Sequence, residues 1–558
     1  MVALAGSGRA DVISDVNQDL LTIIANTSPA LIDGPPNVAR EIAMVDGAMY
    51  DAVNAATGGI GSTQSLYYTG GPIANANAAT AALSAAYTVM NNLYGTSSLY
   101  RTLQGQTISY NGLTLQVAPS AAQYAGITAQ LNNVLTELNT AAAAANTAST
   151  GTGTTGQTLG TAAANAMIAG RASDNGVAAM LATIQAPNIT YQGVTTAGVY
   201  ADPNTRPALE PTAGNVATFV TTASQQTAAV ASVPGPPAVG SAAYAAQVLQ
   251  TACQGSSGAL PSGAVAACQA AGWTPQTGAQ AQSALYWNDP GGTYQPPGHW
   301  LQIADAVAAS TNLSLLQHTQ EDALLGAAMS DAGAAPWAVK FADNRWRPIT
   351  AIQNCATWNN AFFPSGACDP TWNSLIATPP HPDYLAGHPA FSGAAATVLD
   401  NFFQTDNIAF TVSSQVYCNT GSTQRDSLGN IVSCTLNGTV YAYNPNDLSS
   451  CNNAATQPPL NADYTVNPLY NNSPLICPIA ESFSGFQDAS SGDLGSTFSR
   501  VVGGIHTPQA VTDALALGNQ IGQTVANDAN VPEPGPLAVL AVALAGIAAV
   551  RRRVVAGG

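Results

Sequence analysis

In the stretch NVAREIAMVDGAMYDAVNAATGG, apolar side chains at Ile42, Val45, Met49 and Val53 recur at spacings of three and four, which predicts an amphipathic helix closed by the glycines that follow. Alanine-rich runs of the same kind predict helices near 78–94, 121–146 and 160–183, with no strict repeat among them. The Thr/Gly/Ala-rich stretch 147–160 and the Pro/Gly stretch 233–240 read as loops. From about 300 the helical period returns in HWLQIADAVAAS, LLQHTQEDALLGAAMSDAGAAPWAVKFAD, FSGAAATVLDNFFQ and TPQAVTDALALGNQIGQTVANDA. Between the last two, residues 408–480 carry four cysteines, many Asn and Tyr, and short alternating runs such as NGTVYAY, the pattern of a disulfide-tied excursion of loops and hairpins. The chain as a whole reads as mainly α.

Composition changes this picture in two ways. The chain has 558 residues, 46% of them apolar, which is enough for a large core and argues against global disorder. Only 8% are charged, with 30 acids against 13 bases, and the net charge of −17 argues against nucleic acid or an anionic membrane surface as a partner. Eight cysteines, with no C-x-x-C pair and no histidine at zinc-finger spacing, read as disulfides. The simplest pairing joins sequence neighbours: Cys253 with Cys268, Cys355 with Cys368, Cys418 with Cys434, and Cys451 with Cys477. Disulfides imply an oxidising compartment outside the cytoplasm.

The C-terminal stretch VPEPGPLAVLAVALAGIAAVRRRVVAGG points the same way. It holds Pro532, Glu533 and Pro534, an apolar run from Leu537 to Val550, and arginines at 551 to 553 that fit a positive-inside stop. The run is short against the ~20 residues of a spanning helix. The stretch resembles the PEP-CTERM sorting tail of bacterial exopolysaccharide-associated proteins. That resemblance implies recognition at the membrane, removal by exosortase-type machinery, and an exported mature protein at the cell surface or in the extracellular matrix. The opening MVALAGSGRADV lacks the basic start and apolar stretch of a signal peptide, so a truncated or misplaced start is expected.

Basic residues are scarce, which gives their placement weight. Lys340 is the only lysine, and Arg347-Pro348 follows it; then come His381 and His388 in PPHPDYLAGHPAFSG, and Arg500 and His506 in SRVVGGIHTPQA. All five histidines lie beyond residue 298. Lys340 and Arg347 share one helix face if the helix continues through Asn344, although the proline biases residue 347 toward an extended shape. Inward-facing cations are costly unless an anion meets them. Arg500 adds a third, and glycines at 387, 503 and 504 let backbone N–H groups approach a bound oxyanion. Such a site fits phosphate or its larger analogue vanadate, with two histidines to bond the central atom and to move protons.

K-x6-R-P, then G-H, then S-R-x5-H resembles the ordered signature of the vanadium-dependent haloperoxidase and type 2 phosphatidic acid phosphatase superfamily. VAREIAMVDGAMYDAVNAA and LYWNDPGGTYQPPGHWLQIA are similar to segments of its bacterial haloperoxidase branch, so the likeness covers most of 15–525. It implies helical bundles around one buried site, with an N-terminal helical region 1–290, a catalytic region 291–528 and the sorting tail 529–558. It also implies vanadate as cofactor. His506 would be its axial ligand, Lys340, Arg347, Arg500 and the Gly387 amide would bind its equatorial oxygens, and His388 would be the acid–base residue. Trp337 would stand in the site wall. His381 occupies a place where bromoperoxidases tend to carry histidine and chloroperoxidases phenylalanine, which favours bromide or iodide. The implied reaction oxidises halide with hydrogen peroxide to hypohalous acid, which halogenates a small organic acceptor. The chain departs from the usual Ser-Gly-His at Ala386, losing a hydrogen bond of ~1.5–3 kcal/mol to a charged acceptor. Two other readings stand beside this one: an exported acid phosphatase with His506 as nucleophile, and a surface or matrix protein that keeps the fold without activity.

Overall fold

The computed structural model describes residues 12–58, 65–110, 112–185, 196–204, 206–358, 362–419, 422–426, 431–447, 460–465 and 474–529. The opening stretch MVALAGSGRAD, the tail from residue 530 onward with Pro532, Glu533, Pro534 and the three arginines, and Cys451 lie outside the described residues. Among the described residues no helix is long and apolar enough to cross a membrane.

The protein is mainly helical, as its periodicity predicts. The first half holds α1 (Val12–Thr27), α2 (Pro35–Ala56), α3 (Ala78–Tyr94), α4 (Leu99–Thr102), α5 (Ala121–Ala148), α6 (Thr152–Arg171) and α7 (Gly176–Gln185), with one hairpin, β1 (Thr107–Tyr110) and β2 (Leu113–Gln116), between α4 and α5. Shorter helices follow: α8 (Ala223–Ser232), α9 (Ala242–Gln254), α10 (Ser262–Ala271) and α11 (Gly278–Tyr286). Then come α12 (Gln295–Thr311), α13 (Leu315–Asp343), α14 (Pro348–Gln353), α15 (Gly387–Phe403), α16 (Phe486–Ser491), α17 (Ser496–Val502) and α18 (Pro508–Asp528). Side chains set several of the starts: Ser120 with Gln123, and Ser314 with Gln317, form capping boxes that satisfy the free N–H groups opening α5 and α13.

The excursion near 408–480 is built as short antiparallel pairs. β3 (Phe410–Ser413) pairs with β9 (Ala480–Phe483), and β4 (Tyr417–Cys418) pairs with β8 (Leu475–Ile476). β5 (Ser422–Arg425), β6 (Ile431–Leu436) and β7 (Thr439–Ala442) form a three-stranded sheet. The β6–β7 turn is Asn437-Gly438 with φ of 51° and 80°, the pair of left-handed residues that a tight hairpin needs. Three of the four neighbour disulfides are present, Cys253–Cys268, Cys355–Cys368 and Cys418–Cys434, and Cys477 is also disulfide-bonded.

One expectation fails. The stretch 147–160 read as a loop, but all of it from Thr152 onward is helix, the start of α6. Its glycines serve close packing: a Cβ on Gly160 would stand 2.1 Å from the Ala81 carbonyl of α3, and one on Gly156 2.6 Å from the Asn77 carbonyl. Low intrinsic helix propensity is overridden because removing these side chains lets two helices meet backbone to backbone. The single helix expected near 160–183 is two, for the chain breaks between Arg171 and Gly176.

α2 packs against α13 and α3, and one hydrophobic core joins these helices to α15 and α18. Ile42, Val45, Met49 and Val53 are fully buried, each contributing ~1.5–3 kcal/mol of hydrophobic transfer. The polar face opposite them is buried too. Arg40 pairs with Asp174 at 2.6 Å, and Asp51 accepts the backbone N–H groups of Leu66, Tyr67 and Tyr68. Glu41 accepts from Tyr94, Tyr100 and Asn37, and burial pushes its carboxyl up to about 8. Glu210, which accepts the Gly34 N–H, is likewise pushed up to about 8 by burial. A carboxyl raised in the folded state stabilises the protein fully below its unfolded value, 4.5 for both, and that contribution is lost as pH rises through about 8. Between about pH 6.5 and 9, Tm is expected to fall by on the order of 5 °C. Glu41→Gln should flatten that slope; a pH-independent Tm in the wild type would contradict the assignment.

Candidate anion-binding site

Four elements bring the basic residues together. The last two turns of α13 carry Trp337 and Lys340, and Asn344 ends the helix in the left-handed conformation with φ of 53°. Arg347 is therefore not on the Lys340 helix face, as the seven-residue spacing suggested. It sits in extended backbone, φ −79° and ψ 157°, immediately before Pro348 opens α14, as the steric demand of a following proline dictates. Both side chains are nonetheless fully buried and point to one place. The loop 377–386 delivers His381 and leads into the N-terminus of α15 at Gly387 and His388. Arg500 comes from α17, and the Gly503–Gly504 turn, with φ of 78° at Gly504, carries the chain to His506 just before α18. A Cβ on Gly504 would stand 2.3 Å from the Gly255 carbonyl, so only glycine fits this corner.

Arg347 is the hub. Its Nε donates to the His381 carbonyl at 2.6 Å and its Nη2 meets His381 Nδ1 at 2.9 Å. Its Nη1 donates to the Ile505 carbonyl at 2.8 Å and meets His506 Nε2 at 3.0 Å. Lys340 Nζ donates to the carbonyls of Pro382 and Asp383 at 2.8 and 3.2 Å, and stands 5.6 Å from the Trp337 ring centre. Trp337 in turn lies 5.0 Å from the His381 ring, and a Cβ on Gly387 would press to 3.0 Å of it. Arg500 donates to Ser499 Oγ and to the Ala284 carbonyl, while its Nη1 is buried with no hydrogen-bond partner.

Two acids complete the site, and neither had a role assigned from sequence. Asp383 accepts from His506 Nδ1 at 2.6 Å and from Thr507 Oγ1 at 2.8 Å. This holds the proton on Nδ1 and leaves the Nε2 lone pair facing Arg347. Asp289 accepts from His299 Nδ1 at 3.0 Å and lies 3.5 Å from His388 Nε2. Asp383 stands in the quoted PPHPDYLAGHPAFSG and Asp289 in LYWNDPGGTYQPPGHWLQIA, so the local signal was an acid beside a histidine-bearing motif.

The electrostatics follow from burial. Burial and then Arg347 push Lys340 well below the usual lysine range, with Asp383 pulling the other way. Burial lowers Arg347 and Arg500 to about 10. Burial, then Arg500, brings His388 down to about 4 against the pull of Asp289. Burial raises Asp289, but His299 and His388 outweigh it and hold the carboxyl well below the usual range. His381 and His506 are both pushed well down by burial and by Lys340 and Arg347, so both rings are neutral. A cavity of about 170 Å³ opens here, lined by Trp337, His381, Gly387, His388, His506 and Asp289, with Pro290, Pro296, Pro379 and Pro380 and the side chain of Arg206. Lys340, Arg347 and Arg500 stand behind this lining. Three buried basic side chains, one with an unpartnered donor, and an imidazole whose lone pair is on Nε2 make a donor set that would suit an oxyanion. Vanadate fits that donor set.

The VCPO second helical-bundle domain family matches residues 321–428, the stretch that holds Trp337, Lys340, Arg347, His381, Gly387 and His388. Vanadium chloroperoxidase of Curvularia inaequalis is 25% identical over 154 residues, and the match covers 25% of this chain and 25% of that protein. The structure of a bacterial vanadium-dependent iodoperoxidase superposes with a TM-score of 0.53 at 17% identity, covering 93% of this chain and 96% of that one. The apo form of a bacterial vanadium-dependent chloroperoxidase gives 0.51 at 12% identity, covering 89% and 95%. Residues 321–428 match the VCPO second helical-bundle domain family, and the chain has the fold of the bacterial vanadium-dependent haloperoxidases.

Proposed function

We propose that this protein is an exported, vanadate-dependent haloperoxidase that oxidises halide with hydrogen peroxide to hypohalous acid, which halogenates a small organic acceptor. The observation that carries this reading is the His506 ring: it lines the cavity, Asp383 holds its Nδ1 proton, and its lone pair is therefore on Nε2, which meets Arg347 Nη1 at 3.0 Å. His506 Nε2 would hold the vanadium, and Lys340, Arg347, Arg500 and the Gly387 N–H would hold its oxygens. The chemistry vanadate supplies when bound is Lewis-acid polarisation of hydrogen peroxide without change of oxidation state. His388, neutral above about pH 4, takes the peroxide proton, and ionised Asp289 stabilises the imidazolium that results. The proline wall narrows the cavity and limits water around the reacting groups. His381, with its ring tied to Arg347, is the residue on which a preference for bromide or iodide rests. The disulfides support an oxidising destination, consistent with sorting-tail removal by exosortase-type machinery.

The test is direct. The purified chain is loaded with orthovanadate and assayed for bromination of a phenolic acceptor with peroxide, and separately for p-nitrophenyl phosphate cleavage without vanadate. Vanadate-dependent bromination is the expected result. Phosphate release alone would assign an acid phosphatase, and silence in both assays a non-catalytic surface or matrix protein. Ala386 supplies a quantitative check. It is fully buried at the N-cap of α15 and offers no side-chain hydrogen bond. Ala386→Ser restores a donor to a charged acceptor and is expected to tighten vanadate binding by about 10- to 100-fold. Equilibrium dialysis showing equal affinity would place residue 386 outside the anion's reach.

A further inference from the structure

A second group of polar side chains lies between α1, α2, α12 and α13, and none of its members lines the anion cavity. Asp305 of α12 and His318 and Asp322 of α13 each offer one ligand atom, all within 4.8 Å of one another. His318 Nε2 stands 3.1 Å from Asp305 Oδ1 and 3.6 Å from Asp322 Oδ2. Bonds of about 2.1 Å at right angles give a coordination polyhedron with edges of about 3.0 Å, so a small movement of these side chains admits an ion. Asn17 of α1 ties the carboxylates in place, its Nδ2 donating to Asp305 Oδ1 at 3.0 Å and to Asp322 Oδ2 at 2.9 Å.

An independent observation says that something is to be held there. Asp46 of α2 is fully buried, and neither of its carboxyl oxygens has a hydrogen-bond partner. It faces the group, for after burial the charges that act on it are those of Asp322, Asp305 and His318. Glu321, also fully buried with both oxygens unpartnered, feels Asp322, His318 and Asp305. Buried carboxylates are found paired or coordinating a metal because each is otherwise too costly to take from water. Among the described residues, the positive charge that acts on Asp46 and Glu321 is the His318 imidazole.

The geometry points to a divalent transition-metal site of the manganese-to-zinc kind, with Asp305, His318 and Asp322 as ligands, Asp46 closing the α2 side and Asn17 positioning the carboxylates. Carboxylates with one imidazole suit such ions, whereas calcium takes six to eight oxygens. Facing helices of a bundle core are where acid and histidine side chains assemble these sites. Asp305 keeps 16% of its side chain exposed, which gives an ion access from solvent. A bound ion would cross-link the N-terminal helices to α13, which also carries Lys340.

The full chain, stripped with EDTA, reloaded with Mn²⁺ or Zn²⁺ and desalted, is expected to retain about one ion per chain and to melt at higher temperature than the stripped form. Asp322→Asn and His318→Gln should each lower retained metal at least 10-fold, with the partly exposed Asp305→Asn as the variant least disturbing to folding. Anomalous diffraction from the loaded wild type locates the ion even where a variant fails to fold. Retention below about 0.1 ion per chain, an ion located elsewhere, or folded variants that bind as the wild type does would each overturn the proposal.

Discussion

Asp383→Asn is expected to lower vanadate affinity and turnover at limiting vanadate by about 10- to 100-fold, and His506→Ala to leave no vanadate-dependent activity. The reason lies in which ring nitrogen carries the proton. Asp383 accepts from Nδ1 at 2.6 Å and is itself fixed by Thr507 Oγ1, so the ring's lone pair is on Nε2, where Arg347 Nη1 meets it and where a central atom would bind. Asparagine can present an N–H to Nδ1 instead, which moves the ring proton to Nε2 and removes that lone pair. The change also deletes a negative charge that faces Lys340 and Arg347, since Asp383 is the group that pulls both of them upward. Ultrafiltration with measured free vanadate separates the two effects from a folding defect, because the apo protein's Tm reports the latter alone. Wild-type affinity in a folded Asp383→Asn protein would sink the tautomer argument.

His388→Ala is expected to reduce the rate at saturating vanadate by about 10²- to 10⁴-fold, the range of a positioned acid–base group. The pH dependence adds a sign that a packing role would not produce. In the chain as it stands, burial and Arg500 hold His388 at about 4, while Asp289 pulls upward. Asp289→Asn removes that upward pull, so the His388 titration, followed by NMR of its ring C–H in the vanadate-free protein, should move to lower pH. A shift to higher pH, or none, would mean that the 3.5 Å approach between these side chains carries no electrostatic coupling.

Much of this architecture is legible without coordinates. The three- and four-residue spacing in the region of α2, the hydroxyls and amides of the capping boxes, the Asn437-Gly438 turn and the order Lys340, Arg347, His388, Arg500, His506 are all local patterns, and local patterns survive in a string of residues. Neighbour pairing of cysteines was legible for the same reason, since a short loop closes at small entropic cost. The helix beginning at Thr152 was not, because its glycines are explained only by the Asn77 and Ala81 carbonyls of another helix.

By itself, then, the sequence determined most of the long helices, three of the cysteine pairings and which chemical groups are available: three scarce cations and paired histidines placed near glycines. Only the tertiary structure decided that the polar face of α2 is interior, that Arg347 reaches the site from extended backbone, and that Asp383 and Asp289 are the partners of His506 and His388. The physical reason is one of range. Periodicity and capping act within a few residues, whereas a proton's position on an imidazole and the cost of a buried charge depend on groups brought up from more than a hundred residues away.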